Sequence, residues 1–253
     1  MKTKRSPLQG VTNILRFNWH FYLLAVAGVA AGMIFAVWLG SWWLILGWCV
    51  AVVVLATTVA SLIVSWYIYD YSGLYELRWL PESLPAGSSI VNIHAGFDET
   101  SALLAERYPE AELSVLDFYD PELHTEVSIK RARKANPPYP GTRAVTTRNP
   151  GLGEASVDAV FLIFAAHEVR DVEERARLFG HVRMSLKPGG RIFLAEHLRD
   201  RANFLAYSLG AYHFLPLREW HQTFSAGKLR VANMRKYTPF VSTLTLEVDN
   251  QST

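Results

Sequence analysis

The chain of 253 residues has a single cysteine, Cys49. One thiol forms neither a disulfide within the chain nor a thiolate metal site, so the fold depends on its apolar core. Charge is absent in another way. Between Phe17 and Tyr69 there is no Lys, Arg, Asp or Glu, while the rest of the chain is charged like an ordinary globular protein. Half of all residues are hydrophobic, and that average joins two unlike parts. The remaining ~170 residues suffice for one α/β domain with a real core. A net charge of +2 selects no class of partner.

What fills the uncharged stretch is a pair of long apolar runs. Residues 18 to 39 and 42 to 69 each exceed the ~20 residues that a membrane-spanning helix needs. Gly40-Ser41 separates them, and so tight a turn forces an antiparallel helical hairpin with both outer ends on one side. Trp38, Trp42 and Trp43 flank the turn; Trp19, Tyr22, Trp66, Tyr67, Tyr69 and Tyr71 mark the outer ends. This is the arrangement of an aromatic belt at each interface. The tail at 1–16 carries Lys2, Lys4, Arg5 and Arg16 and no acid. The positive-inside tendency then places the tail and the main domain on the cytoplasmic side of a cell inner membrane. A second apolar run directly after the first argues against a cleaved leader. Gly28 and Gly32 form a small-xxx-small pair. It serves either to pack the second helix of the hairpin or to meet another membrane protein.

A linker at 70–87, rich in Leu, Tyr and Trp, is expected to lie on the membrane surface or on the domain that follows at 88–253. There, apolar strands alternate with helices. "SIVNI", "ELSVLDF", the weak "TRAVTT", "VDAVFLIFAA" and "RIFLAEH" read as strands. "ETSALLAERYP", "PELHTEVSIKRARKA" and "VEERARLFGHVRMSL" read as helices, with "KPGG" as a turn. That alternation predicts a mostly parallel sheet covered on both faces. "RVANMRKY" and "FVSTLTLEV" predict a closing antiparallel pair. The short basic run "KRARK" is either a solvated helix face or a contact to anionic headgroups. It lacks interleaved aromatics, so nucleic acid is not an expected partner.

Three stretches carry a resemblance. They are the strand–loop–helix "IVNIHAGFDETSALLAERYP", the strand "LSVLDF" ending in Asp117, and "VDAVFLIFAAHEVRD … LKPGGRIFLAEH". Together they resemble the class I S-adenosylmethionine-dependent methyltransferases over residues 88 to 248, with "LKPGG" the most specific element. The resemblance implies a Rossmann-like fold that binds S-adenosylmethionine across the carboxyl ends of its strands. It implies a ribose-binding role for Asp117 and a cofactor loop at Asn92, His94, Gly96 and Asp98. Against the family's Asp-x-Gly-x-Gly-x-Gly, Asn92 replaces the acid, His94 the first glycine and Asp98 the third. Only Gly96 matches. Asp98 and Glu99 near the cofactor's carboxylate would repel it by about 1 to 4 kcal/mol at ~4 Å, unless Asp98 meets the cofactor's amino group. A dinucleotide fits worse, because its pyrophosphate would meet both acids directly.

Polar residues gather after the fourth and fifth strands: His167 and Glu168, then Glu196, His197, Arg199 and Asp200, with Tyr212 and His213 further on. His167, Glu168 and His197 are the candidates for taking a proton from an acceptor hydroxyl; a hydrogen-bonded structural network is the other reading. No standard metal spacing is present, so no metal is expected. Two functions follow. One is a membrane-anchored methyltransferase acting on a lipophilic acceptor such as a quinone, lipid, carotenoid or pigment precursor. The other is a non-catalytic subunit of a larger membrane complex, respiratory or photosynthetic.

Overall fold

The computed structural model describes residues 5–249; Lys2 and Lys4 lie outside them. The two apolar runs form α1 (Gln9–Leu39) and α2 (Ser41–Trp66), joined at Gly40 and packed antiparallel. Both are long and apolar enough to cross a membrane, and their most apolar windows are almost wholly unburied. Close contact between them occurs at Gly47, where an added Cβ would lie 2.9 Å from Met33 Sδ. At Gly28 and Gly32 it would meet nothing within 4 Å, so that pair does not fasten the hairpin to itself.

The first helix begins earlier than the apolar run. Its first turns lie on the domain, and it kinks at Asn18 (φ −113°, ψ 15°) before joining α2. The side chain of Asp70, just past α2, accepts the backbone N–H groups of Gly10 (2.6 Å) and Val11 (2.9 Å). A carboxylate there satisfies orphan donors and complements the helix dipole. It also ties the two outer ends of the hairpin together. Gly10 is required: a Cβ would lie 2.3 Å from that of Tyr69.

The domain follows as β1 (Ser89–His94), α3 (Ser101–Arg107), β2 (Glu112–Asp117), α4 (Val127–Ala135), β3 (Arg143–Ala144), β4 (Val157–Ile163), α5 (Val172–Ser185), β5 (Leu186–His197), α6 (Arg201–Tyr207), α7 (Leu217–Ala226), β6 (Leu229–Lys236) and β7 (Val241–Val248). The strands lie in the order β3-β2-β1-β4-β5-β7-β6. β1 to β5 are parallel, and β7 runs antiparallel between β5 and β6. The central strands are buried on both faces, as their continuous apolar runs require. Val160 and Leu162 of β4 pack beneath α5 and α7 with Phe179, Val182, Trp220 and Phe224. Phe161, between them, faces Leu104, Tyr108 and the linker's Leu77 and Leu80. Each such side chain contributes about 1.5–3 kcal/mol by leaving water. The linker thus lies on the domain, where Arg107 and Tyr108 hydrogen-bond its Pro81 carbonyl.

Three elements differ from the sequence expectation. "KPGG" is no separate turn: it bulges out within β5, between the Val157–Leu186 and Ala159–Arg191 pairs. The "TRAVTT" strand shrinks to two paired residues at the sheet edge. The helix expected from Pro121 starts only at Val127, because residues 121–126 are turn and extended chain, with Asp120 O accepting the His124 N–H.

Candidate active site

The strand order reverses between β1 and β4, so the loops after them diverge and leave a crevice at the carboxyl ends of the strands. A cavity of about 260 Å³ lies there, lined by His94, Phe97 and Glu99 from the first side and His167, Glu168, His197 and His213 from the second.

On the first side, the loop's acids have found partners. One oxygen of Asp98 accepts the backbone N–H groups of Thr100 and Ser101, both at 2.9 Å, and so caps α3. Asn92 donates to Thr100 Oγ1 (3.0 Å) and Ser101 Oγ (2.8 Å), bracing the same turn. Glu99 is held by Arg5 (2.9 Å), Gln9, Asn13 and the Tyr75 hydroxyl. Phe97 meets Phe17 edge to face at 5.6 Å. The loop therefore seats the start of α1. Arg5 neutralises Glu99, while Asp98 is held by backbone N–H groups, so only part of the repulsion that the sequence led one to expect is removed. Burial and the nearby Glu99 carboxylate push the Tyr75 hydroxyl well above its ordinary range, so Tyr75 stays a donor.

Gly96 keeps the left-handed backbone (φ +91°). Asp117 stands opposite His94 in the β1–β2 register. Its Oδ1 accepts the Tyr119 N–H (3.0 Å) and its Oδ2 is taken by the Arg133 guanidinium. Arg133 also stacks on Tyr119 and crowds Gly96. His94 is buried and neutral, its pKa lowered by burial. Its Nδ1 accepts the Gly96 N–H (3.2 Å), while Nε2 has no partner among the described residues. The first arginine of "KRARK", Arg131, donates to the Phe17 carbonyl (2.7 Å) that the kink at Asn18 sets free and lies over the Trp19 ring. Lys130 and Lys134 of this run face solvent and make no such contacts among the described residues.

This set fits S-adenosylmethionine once Arg133 has moved. The glycine backbone, the acid at the end of β2 and an unpartnered ring nitrogen are present. The obstacle is the end of a flexible side chain that is 38% exposed.

On the second side, the polar residues bind one another. His167 Nδ1 donates to Glu196 Oε2 (2.7 Å), and Nε2 lies 3.1 Å from Glu168 Oε1. Glu196 is fully buried and also accepts the Ala166 N–H (3.0 Å). Burial alone would lower the His167 pKa, but the carboxylates of Glu196 and Glu168 outweigh it and raise it to about 10. Burial would raise Glu168, but His167 and His213 hold it well below its ordinary range. His213 Nδ1 lies 2.8 Å from Glu126 Oε1 and Nε2 3.5 Å from Glu168. Its pKa is raised against the effect of burial by the same two acids.

His197 stands apart. It is stacked between Phe214 (4.6 Å) and Phe164 (5.0 Å). Its Nδ1–H donates to the Phe240 carbonyl (3.0 Å), and its Nε2 accepts the Tyr69 hydroxyl (2.8 Å) from the end of the hairpin. Burial drives its pKa to about 3. A general base needs a free lone pair; His167 holds a proton between two carboxylates, and His197 spends its lone pair on Tyr69. Asp200 caps α6 through the Asn203 N–H, Arg199 binds the carbonyls of Phe214 and Tyr212, and the Tyr212 ring is exposed. Sequence reasoning missed Glu126, Arg133 and Arg170. Arg133 lies in α4 within the "KRARK" run, and Glu126 and Arg170 lie in loops; nothing local marks them as lining the crevice, so only the fold reveals it.

No family model matches the chain, and no curated protein does. Solved structures do match. An O-methyltransferase family 2 protein from Planctomyces limnophilus, in complex with apigenin, superposes with a TM-score of 0.52 at 14% identity, over 79% of this chain and 68% of that one. A SAM-dependent methyltransferase from Aquifex aeolicus gives 0.50 at 12% identity, over 70% and 93%. One from Mesorhizobium loti gives 0.48 at 18%, over 69% and 97%. At such identities the likeness concerns architecture alone. The domain has the fold of the S-adenosylmethionine-dependent methyltransferases.

Proposed function

We propose that the chain is a membrane-anchored S-adenosylmethionine-dependent methyltransferase acting on a lipophilic acceptor, with the hairpin in the bilayer and the domain on the cytoplasmic face. One observation carries this reading. A groove of about 720 Å³ runs from the hairpin (Phe21, Tyr22, Thr57, Ser61) to Glu126, His213 and Phe214. Those last three residues also line the strand-end cavity. An apolar molecule that leaves the bilayer along α1 and α2 would reach the polar cluster without crossing water. Apolar walls with a few convergent polar groups are the usual make-up of such sites.

Asp117 would hold the ribose hydroxyls, and the backbone around Gly96 would lie against the rest of the cofactor. When bound, S-adenosylmethionine supplies an electrophilic methyl group on a sulfonium. The protein's own task is then mainly alignment, since bringing two reactants into register is the larger part of such a barrier. Proton removal falls to the Glu168 carboxylate, which faces the cavity, because His213, like His167, is engaged on both ring nitrogens. Arg133 acts as a latch that must release Asp117 first.

The reading is tested by incubating the detergent-solubilised full chain with radiolabelled S-adenosylmethionine and a lipid extract of its native membranes. Label in a lipid-soluble product, lost in Asp117→Ala, is the expected result. No label from wild type or from Arg133→Ala overturns it. The second reading, a non-catalytic subunit, is favoured by the Arg133–Asp117 pair and by the use of the loop as a seat for α1. Under it, mild extraction yields the chain in fixed ratio with partner proteins and without methyl transfer.

A further inference from the structure

The cluster on the second side has the geometry of a metal site. His167 and Glu168 follow β4, and His213 ends the turn after α6. His167 Nε2 lies 3.1 Å and His213 Nε2 3.5 Å from Glu168 Oε1, and the ligand atoms all fall within 4.8 Å of one another. Tetrahedral zinc with bonds of about 2.0–2.1 Å places neighbouring ligand atoms ~3.3 Å apart. Each imidazole also has a carboxylate on its other nitrogen: Glu196 at 2.7 Å for His167 and Glu126 at 2.8 Å for His213. That pairing fixes the tautomer and the ring orientation in histidine metal sites.

We propose that His167, Glu168 and His213 bind one divalent metal ion of the zinc class, with Glu196 and Glu126 as the outer partners of the two histidines and a fourth position open to the cavity. Two imidazoles favour zinc over magnesium or calcium. The Arg170 guanidinium, now 3.0 Å from His213 Nε2, turns outward when the metal enters; its side chain is 43% exposed. The open position takes an oxygen donor, either water or the oxygen of the acceptor. In that second case the site deepens the reading above and supplies what the engaged histidines lack, because a metal-bound hydroxyl loses its proton more readily. Metal binding itself does not depend on S-adenosylmethionine.

The test uses the full chain in detergent, stripped with a chelator and titrated with zinc alone against a chromophoric competitor. One ion per chain is expected, with a dissociation constant near or below about 1 µM. His213→Ala should weaken it at least ~100-fold, and Glu196→Gln about 10–100-fold. Cobalt loading should give the visible bands of a tetrahedral ion. The proposal is overturned by no stoichiometric binding at ~100 µM zinc in protein with a native near-ultraviolet dichroism spectrum, or by binding that His213→Ala leaves unchanged. Should His167→Ala fail to fold, His213→Ala and Glu168→Gln, which touch the cavity side, still decide. Zinc binding without cofactor binding would sink the methyltransferase reading and leave this one standing. Cofactor binding without zinc binding would do the reverse.

Discussion

The two sides of the crevice hold similar residues and use them differently. On the β1–β2 side, the acids Asp98, Glu99 and Asp117 are each bound by a different element: α3, the start of α1 with the linker, and α4. On the β4–β5 side, His167, Glu168, Glu196 and His213 are bound mainly by one another. The first side is a junction that holds the molecule together, and the second is a self-contained polar cluster aimed at a cavity. A polar residue at a strand end therefore says little about chemistry until its partner is known.

The largest effect that would break this contrast is expected at Glu196. Glu196→Ala leaves His167 with one of its two carboxylates inside the core, at a cost of about 3–5 kcal/mol. The thermal midpoint of the full chain should fall by on the order of 10 °C. No fall would mean that the cluster is not a buried charge network.

Glu99→Ala tests the junction. It removes the acceptor shared by Arg5, Gln9, Asn13 and Tyr75. A loss of about 1.5–3 kcal/mol is expected for a charged hydrogen-bonded group. Hydrogen exchange should speed up in residues 5–17 while β4 and β5 stay protected. Equal loosening of both would contradict a local seat.

The histidines give the next effect, through pH. His197 is neutral when folded, with a pKa of about 3. Its stabilisation is present above about 6.5 and is lost as pH falls toward 3, because the unfolded chain binds the extra proton. His167, raised to about 10, contributes fully below about 6.5 and loses its contribution as pH rises through 10. Thermal midpoints should thus decline on both sides of about pH 6.5. His197→Asn should flatten the decline between about pH 6.5 and 5 and leave the alkaline limb unchanged. An unchanged acid limb would contradict a His197 buried in its neutral form.

Much of the fold was legible. Strands with apolar runs, a hairpin with aromatic ends and a closing antiparallel pair are local patterns, and local patterns determined them. The site was legible only as a set of residue types. Asp98 and Glu99 looked like a charge defect because Arg5, the partner of Glu99, lies 94 positions away. His197 looked like a base because Tyr69, which engages it, comes from the hairpin. Gly28 and Gly32 looked like the hairpin's contact, whereas Gly47 makes the close approach. The metal-like geometry was invisible because its histidines are 46 positions apart (213 − 167), and no spacing rule joins them.

The smallest structural change carries the most information about function. Arg133→Ala trims a part-exposed side chain from an ion pair whose other member, Asp117, is buried, and should cost about 1–3 kcal/mol, yet it frees Asp117. Titration calorimetry of S-adenosylmethionine into the full chain, wild type beside Arg133→Ala and Asp117→Ala, is the most direct measurement. The account predicts binding by wild type, tightening of about tenfold or ~1.4 kcal/mol in Arg133→Ala, and loss in Asp117→Ala. Silence from folded wild type and Arg133→Ala alike at millimolar cofactor would contradict it. The strand ends would then serve the hairpin alone.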